Sequence, residues 1–126
     1  MSERIYDMLT HLNIHNECIL NYDTTFGRLE LVHAECDIIF ELNNVDLISC
    51  KVKGGFFDKC GIIDCDLHDA HLYKCNILNS KVTNSKILDT NVNRDTEIYN
   101  SFYNGGIFNA KMYSGIYRRG KLGPDA

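Results

Sequence analysis

Residue types that bind metals in other proteins are concentrated in one short segment of this chain, which contains Cys60, Cys65, His68, His71 and Cys75. Thiolate sulfur and imidazole nitrogen are ligands that zinc prefers. Paired ligands of a small zinc site usually lie two to four residues apart on one tight turn, whereas these three cysteines are spaced by five and ten residues. We therefore expect the segment to hold no metal ion and the chain to hold no cofactor.

Three carboxylates in the same region, Asp64, Asp66 and Asp69, offer a second kind of chemistry. Glycoside hydrolases use two such groups as acid and base or nucleophile. The glycine pairs at 54–55 and 105–106 do not form a phosphate-binding motif, and no Ser-His-Asp arrangement can be recognised. Because the repeat described next accounts for the position of all these residues, we predict that the protein is not an enzyme.

The dominant pattern is a period of five residues, which places an apolar or aromatic side chain at every fifth position from Leu47 to Leu122, with Glu97 as the one exception. We call these positions centres; they are Leu47, Val52, Phe57, Ile62, Leu67, Leu72, Ile77, Val82, Ile87, Val92, Glu97, Phe102, Ile107, Met112, Tyr117 and Leu122. Two residues before each centre lies a position that is nearly always small: Val45, Cys50, Gly55, Cys60, Cys65, Ala70, Cys75, Ser80, Ser85, Thr90, Asp95, Asn100, Gly105, Ala110, Gly115 and Gly120. Helices repeat at 3.6 residues and strands at two, so this period indicates a solenoid.

Centres and small positions should point toward the solenoid axis together, because alternate residues of an extended segment share one face. By this register Cys60, Cys65 and Cys75 point inward as small hydrophobic side chains, whereas His68 and His71 point outward. Positions two after each centre carry residues suited to a corner; they are Ser49, Gly54, Asp64, Asp69, Asn79, Asn84, Asp89, Asn104 and Asn109.

The chain resembles pentapeptide-repeat proteins, whose loose consensus is Ala-(Asp/Asn)-Leu-X-X. Residues 65–69, Cys-Asp-Leu-His-Asp, and residues 75–79, Cys-Asn-Ile-Leu-Asn, follow it with cysteine in place of alanine. The resemblance covers residues 45–124, which hold sixteen units. It implies an all-β, right-handed quadrilateral β-helix in which four units close one coil, so that about four coils stack over roughly 20 Å. It implies no single activity, because function lies in sites grafted onto a fold.

The repeat is irregular in two places. Glu97 occupies a centre, where an unpaired buried charge is costly, so we expect a local bulge that turns Ile98 inward, with the period resuming at Phe102. Further along the chain, Ile116 is an alternative to Tyr117 as the inward residue.

Residues 1–44 lie outside the repeat and are predicted to form an N-terminal cap, with residues 45–126 as the β-helix. The cap is expected to contain strands within residues 26–42, since Leu29 and Leu31 alternate with charged residues. A short helix is expected before them, with three apolar residues on one face: Ile5, Leu9 and Leu12.

The net charge of −4 is unevenly divided along the chain. Residues 1–44 carry eight acidic and two basic side chains, whereas residues 45–124 carry eight acidic and eleven basic ones. A protein that mimics DNA needs a strongly negative rod, so the slightly positive repeat region disfavours DNA mimicry. We expect no nucleic-acid partner.

Targeting signals are weak in this sequence. No stretch of 18 apolar residues is present, which predicts no transmembrane helix and no membrane partner. The first residues lead into no long apolar run, so no signal peptide is expected. Cysteines at small inward positions fit a reducing compartment better than a disulfide framework, which favours the cytoplasm, or a virion if the protein is encoded by a phage.

Aromatic and basic residues are concentrated toward the C-terminal end, where Tyr99, Tyr103, Phe108 and Tyr113 are interpreted as facing outward. Exposed aromatic residues beside arginine are typical of interface centres, although β-propensity alone also places aromatic residues on strands. The predicted interface residues are Tyr99, Tyr103, Phe108, Tyr113, Tyr117, Arg118, Arg119 and Lys121. We expect them to bind a protein partner or a second copy of the chain, giving a homo-oligomer.

The main hypothesis is therefore a non-catalytic structural or interaction module that self-assembles or docks into a larger complex. Its Asn-, Lys- and Ile-rich repeats look similar to solenoids encoded by tailed phages, which implies a virion structural or accessory protein. The alternative is an inhibitor of a host nucleic-acid enzyme that acts by surface mimicry.

Overall fold

A computed structural model describes residues 13–14, 16–23, 28–93 and 95–124. All regular secondary structure in these residues is β-strand. The predicted helix with Ile5, Leu9 and Leu12 lies outside them. The strands are β1 Asn13–Ile14, β2 Ile19–Asp23, β3 Arg28–Val32, β4 Glu35–Asn43, β5 Val45–Ile48, β6 Lys51–Asp58, β7 Gly61–Ile63, β8 Asp66–His68, β9 His71–Tyr73, β10 Asn76–Leu78, β11 Lys81–Thr83, β12 Lys86–Leu88, β13 Asn91–Val92, β14 Glu97–Tyr99, β15 Ser101–Phe108, β16 Lys111–Met112 and β17 Gly115–Leu122.

The chain closes one coil every fifteen residues in its regular part. Ile62 pairs in parallel with Leu47 on one side and with Ile77 on the other. The prediction of an all-β, right-handed β-helix solenoid is confirmed. The prediction that four units close each coil is wrong: three units do so, which gives a triangular cross-section and about six turns instead of four.

Each coil therefore has three walls, and the inward residues of one wall stack in register along the axis. The first wall has Leu31, Leu47, Ile62, Ile77, Val92, Phe108 and Leu122. The second wall has Cys36, Val52, Leu67, Val82, Ile98 and Met112. The third wall has Leu42, Phe57, Leu72, Ile87, Tyr103 and Tyr117. The predicted centres from Leu47 to Val92 are all buried, so these stacks form the core.

The corners are turned mainly by single residues in the left-handed backbone region. Ser49, Asp64, Asp69, Asn79, Asn84 and Asp89 have φ between 45° and 56°, as the sequence predicts for corner positions. Short polar side chains tolerate this conformation better than others. The corner prediction at Asn104 is wrong, because Asn104 lies within β15 and the positive φ follows at Gly105 and Gly106, whereas Asn109 lies between β15 and β16 as predicted.

The register changes by one residue near Glu97. Val82 pairs with Ile98, and Ile87 pairs with Tyr103, so these partners are sixteen residues apart. The predicted bulge with Ile98 turned inward is confirmed, since Ile98 is buried and Glu97 is exposed. The prediction that the period resumes at Phe102 is wrong: the extra residue moves Tyr103 into the core.

Parallel stacking also includes residues before the predicted boundary at 44 and 45. Strand β3 pairs in parallel with β5, and Leu29 and Leu31 are its buried residues, which confirms the predicted alternation. Strand β4 pairs with β6 in the same way. Strands β1 and β2 run antiparallel to β4 and β3. How the chain divides into domains remains a prediction.

Candidate functional site

The small inward positions form a polar ladder inside the corners. The backbone N–H of Cys65 donates a hydrogen bond to Ser80 Oγ at 3.1 Å, and the N–H of Ser80 donates to Thr96 Oγ1 at 3.2 Å. The Ser80 hydroxyl in turn donates to the carbonyl of Leu78 at 2.9 Å. Side chains of one coil thus satisfy backbone N–H groups of the coil before it, which matters because a buried unpaired N–H costs about 1–3 kcal/mol.

Cysteines continue this ladder toward the N-terminal coils. The N–H of Cys50 donates to Cys65 Sγ at 3.5 Å, while Cys65 Sγ donates to the carbonyls of Leu47 and Ile63. Burial raises the pKa of the Cys36 thiol to about 12. The hydrogen bond with Cys50 and burial both raise the pKa of Cys65. The same hydrogen bond lowers the pKa of Cys50 to about 7.

The structure separates the residues first considered for metal chemistry. Cys60, Cys65 and Cys75 are buried inside the solenoid, while His68 is exposed on the second wall and His71 on the third. Within the described residues, no group of three or more His, Cys, Asp or Glu side chains is arranged to hold a metal ion.

The three carboxylates first considered for acid–base chemistry are also separated by the fold. Asp64 and Asp69 occupy two different corners, with φ of 54° and 56°. Asp66 lies on the second wall, where its Oδ1 is 3.2 Å from His68 Nε2. Asp64 accepts a hydrogen bond from the corner residue of the next coil, Asn79. Asp64 and Asp66 line one shallow cavity of about 380 Å³, whereas Asp69 lines a different one, so the three do not face a shared cleft.

The second wall carries a column of alternating charge on its outer surface. Strand register places each of these side chains beside one of opposite sign, in the order Glu35, Lys51, Asp66, Lys81, Glu97 and Lys111. Cross-strand pairs of opposite charge each stabilise a sheet by roughly 0.2–1 kcal/mol. At its C-terminal end, Tyr99 and Tyr113 stack with ring centroids 4.9 Å apart. The hydrogen bond that Tyr99 donates to Glu97 raises the pKa of Tyr99 to about 12.

The third wall is more apolar and contains two shallow cavities. The outer residues that precede its inward residues are Glu41, Phe56, His71, Lys86, Phe102 and Ile116, and those that follow are Asn43, Asp58, Tyr73, Leu88, Asn104 and Arg119. Phe56 and Ile116 expose 50% and 62% of their surface. The rings of Phe56 and His71 stack at 4.6 Å. The cavities have volumes of about 490 and 1040 Å³, and His71, Lys86 and Leu88 line both.

Within the described residues, the last coil leaves two of its three inward side chains exposed, Tyr117 and Leu122, while Met112 is partly buried. Leu122 is 65% exposed, although Phe108, below it in the same stack, is 5% exposed. Tyr117 stacks on Tyr103 with centroids 5.3 Å apart and is itself exposed. All residues of β17 are exposed. The alternative that Ile116 is the inward residue is wrong, because Ile116 aligns with the outward Phe102.

The predicted interface residues fall into three groups. Tyr117, Arg118, Arg119 and Lys121 lie on the exposed strand β17. Tyr99 and Tyr113 stack on the second wall. Placing the remaining two, Tyr103 and Phe108, on the outer surface is wrong: both are buried, with ring centroids 4.9 Å apart, because the one-residue shift turns them inward.

Sequence reasoning missed the third wall as a continuous surface. Its outer residues recur every fifteen positions at residues 41, 56, 71 and 86. A period of five treats every side of the coil as the same, so it does not show which outward residues are neighbours. This column can be recognised only once it is known that three units close a coil. Comparing outward positions at a spacing of fifteen would have found it.

The fold and these surfaces define an all-β solenoid with a filled interior and outward-facing walls. Comparison with family models, curated proteins and solved structures finds no match to this chain. Among the described residues there is no helix of the length and apolarity needed to cross a membrane.

Proposed function

We propose that this protein is a non-catalytic structural or interaction module that binds another protein, or a second copy of itself, through the C-terminal end of the solenoid. The observation that supports this proposal is the uncovered core of the last coil. Met112, Tyr117 and Leu122 are the inward residues of its three walls, and the equivalent residues one coil earlier are buried. Apolar surface of this kind is stabilised when another surface covers it.

The end strand adds backbone groups and charge to this apolar patch. Strand β17 pairs with β15 on one side, and an exposed strand edge readily pairs with another chain. Arg118, Arg119 and Lys121 lie on the same strand. A partner with acidic groups would complement them, and association would then weaken as salt concentration rises.

We also infer that the chain is a divergent pentapeptide-repeat protein of the kind that tailed phages encode, acting in the host cytoplasm or in the virion. The five-residue unit supports the family, although three units close each coil where the resemblance implies four. Six free cysteines, five of them buried, support a reducing compartment. Purifying the protein together with its natural complex, followed by identification of the complex, tests this assignment.

The test of end-on binding is the absolute mass of the full 126-residue chain by light scattering on a sizing column, at low and high salt. The variant Leu122→Arg places a charge in the middle of the exposed end. We expect it to remove self-association, or to abolish capture of the partner when the partner is a different protein, without changing the thermal unfolding temperature.

A matched control variant, Ile63→Arg, places the same charge on the first wall, at a position that is 37% exposed. It should leave association unchanged. Equal effects of the two variants, or no effect of Leu122→Arg on any association that the wild-type chain shows, would contradict the proposal.

A further inference from the structure

The outer surface of the third wall is divided by charge along the solenoid axis. We number its six levels by their inward residues, from Leu42 at level one to Tyr117 at level six. Glu41 and Asp58 lie at levels one and two, and Lys86 lies at level four. Arg118 lines the cavity of about 1040 Å³ at level six. The wall is thus acidic at one end and basic at the other.

Apolar side chains fill the space between these charges. Phe56 and Tyr73 expose about half of their surface at levels two and three, and Leu88 and Phe102 are partly exposed at levels four and five. Ile116 extends the column to level six. A strip of aromatic and aliphatic groups with charges at its margins has the composition of a protein interface.

One polar atom on this wall lacks a partner. Asp58 Oδ1 is buried and receives no hydrogen bond within the described residues, and Asp58 lines the cavity of about 490 Å³ together with Phe56 and Tyr73. This atom is covered by the chain's own residues, so a second surface does not reach it. Asp58 nevertheless adds a second carboxylate near Glu41 at the acidic end of the wall.

We propose that the third wall binds the third wall of a second copy of this chain, with the two solenoid axes antiparallel and related by a two-fold axis. This arrangement places level one opposite level six and level two opposite level five. Glu41 and Asp58 of one copy then face Arg118 and Asn104 of the other. Phe56 packs against Phe102 of the second copy, and Tyr73 packs against its Leu88.

Charge selects the antiparallel arrangement over the parallel one. With parallel axes, each level would face itself, so Glu41 and Asp58 would lie beside their own copies, and Arg118 beside its own copy. Like charges juxtaposed across an interface are unfavourable. The antiparallel dimer pairs opposite charges twice, once at each end, as a two-fold interface requires.

The size of the wall predicts a weak dimer. Six levels spaced by about 4.8 Å, each about 16 Å wide, give on the order of 500 Å² per copy and roughly 1,000 Å² in total. Stable interfaces usually bury about 1,200–2,000 Å² in total. We therefore expect dimerisation that depends on concentration in the micromolar range or above. Because this dimer uses a wall and the proposed function uses the end of the rod, neither requires the other.

Sedimentation equilibrium of the full chain, from about 10 μM to about 1 mM, tests the proposal with a charge exchange. The variants are Glu41→Lys, Arg118→Glu, and the chain that carries both. Both positions are exposed, so circular dichroism should show unchanged folding. Each single variant should raise the dissociation constant at least about tenfold, because it opposes two like charges at both ends of the dimer.

Two combinations should restore association. The chain with both substitutions again pairs opposite charges at both ends. An equimolar mixture of the two single variants should form a mixed dimer: the new lysine at position 41 faces the new glutamate at position 118, and native Arg118 faces native Glu41. The mixed dimer can be identified by native mass spectrometry with one variant isotopically labelled.

Three outcomes would overturn the proposal. The wild-type chain could remain a monomer at the highest concentration; the single variants could leave association unchanged; or association lost in the single variants could fail to return in the mixture. Association that is lost with Leu122→Arg and retained with Glu41→Lys, which leaves all of β17 unchanged, would assign the contact to the end of the rod, contradicting the wall dimer while supporting the proposed function.

Discussion

Residues 45–93 and residues 95–124 build the same triangular coil in different ways. In the first region, paired residues of adjacent coils are fifteen apart, the inward residues are mainly aliphatic, and single residues with positive φ turn most corners. In the second region, the spacing between paired residues is sixteen and then fourteen. Tyr103 and Phe108 fill its interior, and the exposed Tyr117 stacks on Tyr103. The pair Gly105–Gly106 turns one of its corners, as Gly54–Gly55 does in the first region.

This difference shows how a solenoid absorbs an irregular repeat. Val82 pairs with Ile98, sixteen residues later, and Ile98 pairs with Met112, fourteen residues later, so two coils together still use thirty residues. The fifteen-residue average is restored because a coil of sixteen residues is followed by one of fourteen. Larger side chains, Tyr103 above all, fill the interior of the altered coil. Stability in this region should therefore depend on a few residues, whereas the regular region distributes it over many equivalent ones.

The largest expected effect is at Tyr103. Its side chain is fully buried, its ring packs against Phe108 and Tyr117, and its hydroxyl donates to the carbonyl of Thr90 at 2.9 Å. Tyr103→Ala should lower the free energy of unfolding by about 3–5 kcal/mol, as for other large aromatic-to-alanine changes in cores. Urea unfolding followed by circular dichroism measures it.

Two further variants separate the contributions to that loss. Tyr103→Phe removes only the hydroxyl and should cost about 1–2 kcal/mol, because the carbonyl of Thr90 loses its buried donor. Ile87→Val, one coil earlier in the same stack, should cost about 0.5–1.5 kcal/mol. If the tyrosine-to-alanine change costs no more than the change at Ile87, the irregular region does not depend on its aromatic core.

The next effect is at the glycine corner. Gly106 has φ of 98°, and a Cβ there would overlap the backbone carbonyl of Thr90 in the adjacent coil. Gly106→Ala should destabilise by about 2 kcal/mol or more, since both the conformation and the close approach oppose a side chain. The shift in thermal unfolding temperature measures this loss.

Gly61 provides the comparison in the regular region. It has no positive φ, and the nearest atom to an added Cβ is the carboxylate oxygen of Asp46 at 2.6 Å. That carboxylate is bound by Arg28 in a partly exposed ion pair, so an added methyl group displaces a side chain and not the backbone. Gly61→Ala should therefore shift the unfolding temperature much less than Gly106→Ala. A larger shift at Gly61, a strand residue of β7, would show that the glycine corner is not specially constrained.

A moderate effect is expected from the polar ladder that joins the two regions. Ser80→Ala leaves the buried N–H of Cys65 without an acceptor, which should cost about 1–2 kcal/mol. Ser80→Cys keeps an acceptor of the kind that Cys65 already provides to Cys50, so it should cost less. Denaturant unfolding of both variants decides this. Equal losses of unfolding free energy in the two variants would mean that the hydrogen bond from Cys65 does not determine how much position 80 contributes to stability.

The five-residue period of the sequence predicts some features of this fold and leaves others undetermined. Inward and outward positions from Leu47 to Val92 follow from the five-residue spacing, because a buried side chain recurs whenever the chain crosses a wall. The number of walls does not follow, since the angle turned at each corner depends on backbone geometry that all these corner residues share. The bulge at Ile98 was predictable from the misplaced charge of Glu97, but its length of one residue was not.

The candidate surfaces were predicted less well for the same reason. Tyr103 and Phe108 were assigned to the outside because the period was continued in the wrong phase after Glu97. The third wall was missed because Glu41 and Phe56 become neighbours only when fifteen residues close a coil. Both errors have the same cause: positions were counted along the sequence, whereas the surface is determined by which residues of adjacent coils align with each other.

The smallest expected effect makes the regular region still more regular. Lys59 turns its corner with φ of 58°. Asparagine and aspartate adopt this left-handed conformation at a lower energetic cost, and they occupy the equivalent corner in other coils, as Asn44 and Asp89. Lys59→Asn should therefore raise the free energy of unfolding by about 0.5–1 kcal/mol. Lys53→Asn, on an exposed strand position without positive φ, is the matched control and should be neutral or slightly destabilising. If both variants change stability in the same direction and by the same amount, the effect belongs to the lost charge and not to the corner.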